Sequence, residues 1–121
     1  MRLQGDFYEI LNSEATTDGF AMLVRLNPAH FIYDAHFPGH PMTPGVCLVK
    51  MAVELTEEQL GERLQLQVAP NIRFRKAIGN EGVLVFRFAK VCEDELAVSA
   101  NVCVEDEAGR NCATMKVKMK K

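Results

Sequence analysis

Along most of the chain apolar residues alternate with polar ones, and between residues 44 and 61 they form a broader band instead. Phe7 to Leu11, and then Phe20, Met22, Val24 and Leu26, follow a period of two. Thr16-Thr17-Asp18-Gly19 between them has turn chemistry, so the chain is predicted to open with a β-hairpin. From Asn27 to Pro44 four prolines and a glycine remove backbone donors and fix torsions, which predicts an ordered but irregular loop. A helix is predicted to start at Pro44, a residue well tolerated at the first helical position, with Thr43 as its cap. Val46, Val49, Val53 and Leu60 lie on one side of it, with Leu48, Ala52 and Leu55 beside them, so the apolar arc is wide enough for a helix packed deep against a sheet. Gly61 marks its end, and Glu57, Glu58, Gln59 and Glu62 mark where it meets solvent.

Four strand-like stretches follow: Leu64 to Ile78, Val83 to Val91, Leu96 to Val104 and Cys112 to Met119. Short polar turns join them, which predicts an antiparallel meander. Leu96, Val98, Ala100, Val102 and Val104 should share one face, and Met115, Val117 and Met119 should oppose Lys116, Lys118 and Lys120. The order of elements implies an α+β protein with a single domain over residues 1–121. In it a strongly twisted antiparallel sheet of about six strands wraps one long central helix. An exposed sheet edge would remain, so pairing with a second copy to form a homodimer is expected.

Composition narrows the function classes. Lys and Arg number 14 against 16 Asp and Glu, a formal charge of −2, which argues against nucleic-acid binding held by phosphate contacts. The total hides a gradient: residues 1–60 carry three basic and eight acidic side chains, and residues 61–121 carry eleven and eight. An anionic partner should therefore meet the second half. Cys47, Cys92, Cys103 and Cys112 form no C-x-x-C pair, so they read as buried reduced thiols. The N-terminus has no apolar signal segment and no run approaches a membrane span, so a cytoplasmic protein without membrane insertion is expected.

The chemistry is concentrated in His36-Phe37-Pro38-Gly39-His40-Pro41-Met42-Thr43-Pro44-Gly45-Val46. An imidazole precedes a rigid loop that delivers the chain to a helix N-terminus, where the Gly45 and Val46 amides are unpaired within the helix. A carbonyl oxygen placed there would be polarised, and glycine lets it come close. A base beside such a site is the minimum for removing a proton alpha to a thioester carbonyl. His36 and His40 are four apart, but the prolines and glycine between and after them exclude the helix that would join both to a metal, so no metal or cofactor is expected. His30 reads as a polar loop residue.

These eleven positions, followed by an apolar helix, resemble the signature of the 3-hydroxyacyl-[acyl carrier protein] dehydratases of fatty acid synthesis, which have the hot-dog fold. Ile72-Arg73-Phe74-Arg75-Lys76-Ala77-Ile78 is similar to that family's basic strand segment. The resemblance implies dehydration of 3-hydroxyacyl thioesters to trans-2-enoyl thioesters, with His36 as base and Gly45 as oxyanion donor. Val46, Phe37, Pro44, Leu48, Met51 and Phe74 are the expected substrate contacts. Arg73, Arg75 and Lys76 would receive an acidic acyl carrier protein and the phosphate of its pantetheine arm. In the family an acidic residue follows the histidine by fourteen positions and comes from the other subunit; here that position is Lys50. Lys50 could act as a proton donor, or Glu54 one turn on could supply the carboxylate and pair with Lys50. Two other readings stay open: a hot-dog thioesterase using Glu54, and a non-catalytic subunit. The partner chain could be a second copy or a related subunit.

Overall fold

The opening hairpin is formed by β1 (Tyr8–Ala15) and β2 (Phe20–Leu26) in the computed structural model, which describes residues 2–35, 39, 41–68 and 72–121. The Thr16 amide closes the turn on the Gly19 carbonyl at 3.0 Å. The described part of the loop is irregular, as expected, except for one helical turn, α1 (Ile32–Ala35), with Ile32 and Tyr33 buried. The main helix, α2 (Gly45–Leu60), ends at Gly61, whose φ of 72° is the left-handed conformation that glycine adopts without cost, and whose amide donates to Glu57 O at 2.8 Å.

Among the described residues seven strands, not six, build one antiparallel sheet in the order β1-β2-β5-β6-β7-β3, with β4 also on β7. The stretch read as one strand from Leu64 is two short ones, β3 (Gln65–Val68) and β4 (Arg73–Phe74). Both pair with β7 (Asn111–Lys120), so they lie at the far edge of the sheet. Only β5 (Val83–Glu93), β6 (Ala97–Glu105) and β7 form the expected meander. Leu96 does not join the buried face of β6 and is 77% exposed. Asp94 Oδ1 accepts the Leu96 and Ala97 amides at 2.7 and 2.9 Å, which holds Leu96 in the turn.

One face of the sheet and α2 share the core. Val98, Ala100, Val102 and Val104 on β6, and Met115, Val117 and Met119 on β7, are buried, and Lys116, Lys118 and Lys120 are exposed as their alternation requires. On α2 every residue from Met51 to Thr56 is buried, so this stretch has no solvent-facing side. Val46, expected in the apolar arc, is 73% exposed. Cys47 and Cys112 are buried, but Cys92 is exposed, because it lies beyond the irregularity in the β5–β6 pairing.

Candidate active site

Thr43 fixes the way the chain enters α2. Its amide donates to Ile78 O at 2.7 Å, its hydroxyl donates to Gly79 O at 2.7 Å, and Tyr33 Oη lies 3.0 Å from that hydroxyl. Burial raises the Tyr33 phenol, so this remains a contact between neutral hydroxyls. The Thr43 side chain is therefore committed to the β4–β5 connection and α1, and does not cap the helix as the sequence suggested. Pro44 itself is the cap residue, extended at φ −63° and ψ 144°, with no side-chain capping bond. Its carbonyl accepts the Cys47 and Leu48 amides at 3.0 and 3.3 Å. Among the described residues the Gly45 and Val46 amides meet no acceptor. A serine or threonine cap would compete for donors in this first turn. Left open, they present the positive end of the helix to an incoming oxygen.

A cleft of about 350 Å3 lies against this turn. Met42, Thr43, Pro44, Gly45 and Leu48 form one wall, and Phe74, Arg75, Lys76, Ala77 and Ile78 form the other. Strand β4 is thus what the helix start faces. The Phe74 ring rests on Gly45: a Cβ there would lie 2.5 Å from Phe74 Cζ, closer than real Cβ contacts permit. Glycine is required at 45 for this approach.

Six of the residues singled out from the sequence meet in this cleft: Pro44, Gly45, Leu48, Phe74, Arg75 and Lys76. Lys76 is tied at 3.2 Å to Asp106, which also holds Arg110. His36 and Phe37 lie outside the described residues. Arg73 points to the opposite face of β4, beside Thr114. Met51 is fully buried and Val46 stands out in solvent, so neither lines the cleft. Lys50 is exposed and forms no ion pair with Glu54 among the described residues.

Glu54 has a different task. It is 0% exposed, and its Oε2 accepts the Leu3 amide at 2.7 Å while Oε1 accepts the Gln4 amide at 2.9 Å and the Tyr8 hydroxyl at 3.0 Å. Burial, and then the Glu54 carboxylate, push the Tyr8 phenol far up, which keeps it a donor. Nine residues after Gly45, Glu54 sits about 13 Å along the helix axis and about half a turn round, away from the cleft of its own chain. The expected Lys50–Glu54 pair fails because this carboxylate is already committed to three other donors.

His30, read as a loop residue, is also buried. Its Nδ1 accepts the Ile32 amide at 3.1 Å, so the ring proton resides on Nε2, 3.2 Å from Asp6 Oδ2. The ring lies edge-on to Phe7 and stacked with Phe31. This caps α1, the turn that leads into residues 36–40. No local sequence signal marks it, since Asp6 is far away along the chain.

Comparison with known proteins follows the same lines. Among solved structures, the dehydratase heterocomplex ApeI:P from Xenorhabdus doucetiae superposes with a TM-score of 0.69 at 14% identity, covering 93% of this chain and 96% of that one. An uncharacterised protein from Erwinia carotovora subsp. atroseptica gives 0.66 at 18%, covering 91% and 93%. A hypothetical thioesterase from Streptococcus pneumoniae, solved with coenzyme A, gives 0.65 at 15%, covering 97% and 90%. These likenesses show a shared hot-dog fold. No curated protein sequence matches the chain significantly. The family model described as ApeI-like, ApeI dehydratase, matches residues 12–107. With most of its length matched, the chain belongs to the ApeI-like dehydratase family.

Proposed function

We propose that this protein dehydrates 3-hydroxyacyl thioesters, presented by an acyl carrier protein, to trans-2-enoyl thioesters. The observation that carries the reading is the uncapped first turn of α2 facing the cleft: it offers the Gly45 and Val46 amides where a thioester oxygen can enter. His36 removes the alpha proton, and the electron pair passes to the thioester oxygen held by those amides. The 3-hydroxyl then leaves as water, for which it needs a proton. Phe74, Leu48 and Pro44 contact the acyl thioester, and Arg73, Arg75 and Lys76 face the carrier. The protomer works as a hot-dog subunit with α2 at its centre, paired with another subunit.

This chain brings no free carboxylate to the cleft from α2, because residue 50 is a lysine and Glu54 is committed to the N-terminal segment. That supports pairing with a related subunit that contributes the acid, and the solved ApeI:P dehydratase is itself a heterocomplex. The commitment of Glu54 also weighs against a thioesterase that would use it to activate water. The pure protein, alone and with a candidate partner subunit, is incubated with a 3-hydroxyacyl carrier-protein thioester while enoyl absorbance and free thiol are followed together. Enoyl formation without thiol release is expected, and His36→Ala should abolish it with the fold intact. Thiol release, or full activity of His36→Ala, would overturn the assignment.

A further inference from the structure

Several cations of the second half are ion-paired. Lys76 and Arg110 share Asp106, and Lys121 bridges Glu62 and Glu93. The outward face of the sheet is different. Strand register places Arg87, Cys103, Thr114 and Arg73 in one row across β5, β6, β7 and β4, and Ala89, Asn101 and Lys116 in the next. Arg73 and Arg87 therefore stand three strand spacings apart, about 14 Å, with Cys103 and Thr114 between them. They flank a groove of about 660 Å3 that Arg75, Lys116, Asn101 and Thr114 also line. No carboxylate lines it among the described residues, and Glu105 beside it is held by Arg87 Nε at 2.9 Å. Arg73, Arg75 and Lys116 have no acidic partner among those residues. Lys118 and Lys120 extend the same face along β7.

Arg75 lines this groove and the cleft at Gly45 alike, so the strand β4 is a wall common to both. We infer that the outer sheet face, centred on Arg73 and Lys116 with the Glu105-paired Arg87 at its rim, receives the acidic surface of the carrier protein, whose thioester-bearing arm turns the sheet edge at Arg75 into the cleft. This rests on the carrier-borne substrate proposed above and moves the docking surface away from Lys76, whose charge Asp106 already occupies. Complementary charge, concentrated where it is uncompensated, sets both the approach and its dependence on salt.

The test compares binding of a 3-hydroxyacyl carrier protein with binding of the same acyl group on free pantetheine, at low and high ionic strength. Arg87→Glu/Lys116→Glu, and the milder Arg87→Gln/Lys116→Gln, should weaken carrier binding by about tenfold or more at low salt and flatten its salt dependence. Binding of acyl-pantetheine should not change, and unaltered melting curves exclude misfolding. If carrier binding falls only in Arg75→Glu/Lys76→Glu, docking is confined to the cleft rim: the outer-face inference fails and the carrier reading stands. If the unsubstituted protein binds acyl-pantetheine but no carrier protein, the carrier reading itself fails and this inference with it.

Discussion

Glu54 and Gly45 act on the same helix in opposite ways, and substitution separates them. Glu54→Ala leaves the Leu3 and Gln4 amides and the Tyr8 hydroxyl without their acceptor in a dry site, at about 1–3 kcal/mol for each group that finds no other partner. Urea unfolding should show a loss of about 3 kcal/mol or more, with Glu54→Gln falling between, because an amide retains a single acceptor oxygen. Any enoyl-forming activity should persist below the lowered melting point. Gly45→Ala should do the reverse: alanine favours the helix, so stability changes by less than about 1 kcal/mol. The added methyl displaces the Phe74 ring and crowds the open amides, and turnover should fall by about tenfold or more. Gly45 was legible because the motif around it is contiguous. Glu54 was visible only as a carboxylate within an apolar helical stretch, since its donors lie about fifty positions earlier and nothing local announces them.

At the scale of elements, period-two alternation was enough to find β2, β5, β6 and β7, because each buries a run of alternate apolar residues. It failed for β3 and β4, whose residues are all exposed at an edge, so burial imposes no pattern on them. It could not distinguish a meander from the observed return of β3 and β4 to β7, which depends on what pairs across the sheet. The β6–β7 turn has a pH dependence of its own. The Arg110 amide, with the Lys76 ammonium and the Arg110 guanidinium, holds the Asp106 carboxyl at about 2, below its ordinary 3.8. Folding therefore favours the ionised form. That contribution is complete above the unfolded value and disappears as the pH falls from about 4 toward 2. Asp106→Asn should lower stability at neutral pH and make acid unfolding less steep in that window, as chemical denaturation at a series of pH values would show.

For the molecule as a whole, the near-neutral charge divides into two surfaces: an acidic first half that includes α2, and a second half whose uncompensated cations collect on the outer face of the sheet. A third surface is apolar. Leu66 and Val68 on β3, Phe74 on β4 and Val46 at the start of α2 are all exposed, and among the described residues β3 lies at one of the two ends of the sheet. In the proposed subunit pair, contact through that edge should be disrupted by Val68→Lys. Sedimentation should then show a shift toward single chains with an unchanged far-ultraviolet spectrum; retention of the pair would place the contact elsewhere.

Lys50 has a consequence for stoichiometry. In a pair where each cleft takes its histidine from one chain and its helical residue from the other, this chain completes its partner's cleft with an ammonium and depends on the partner for an acid. A pair with a carboxylate-bearing relative then holds one competent centre out of two. Active-site titration should saturate at half the number of subunits, and an excess of this chain could not replace the carboxylate-bearing partner.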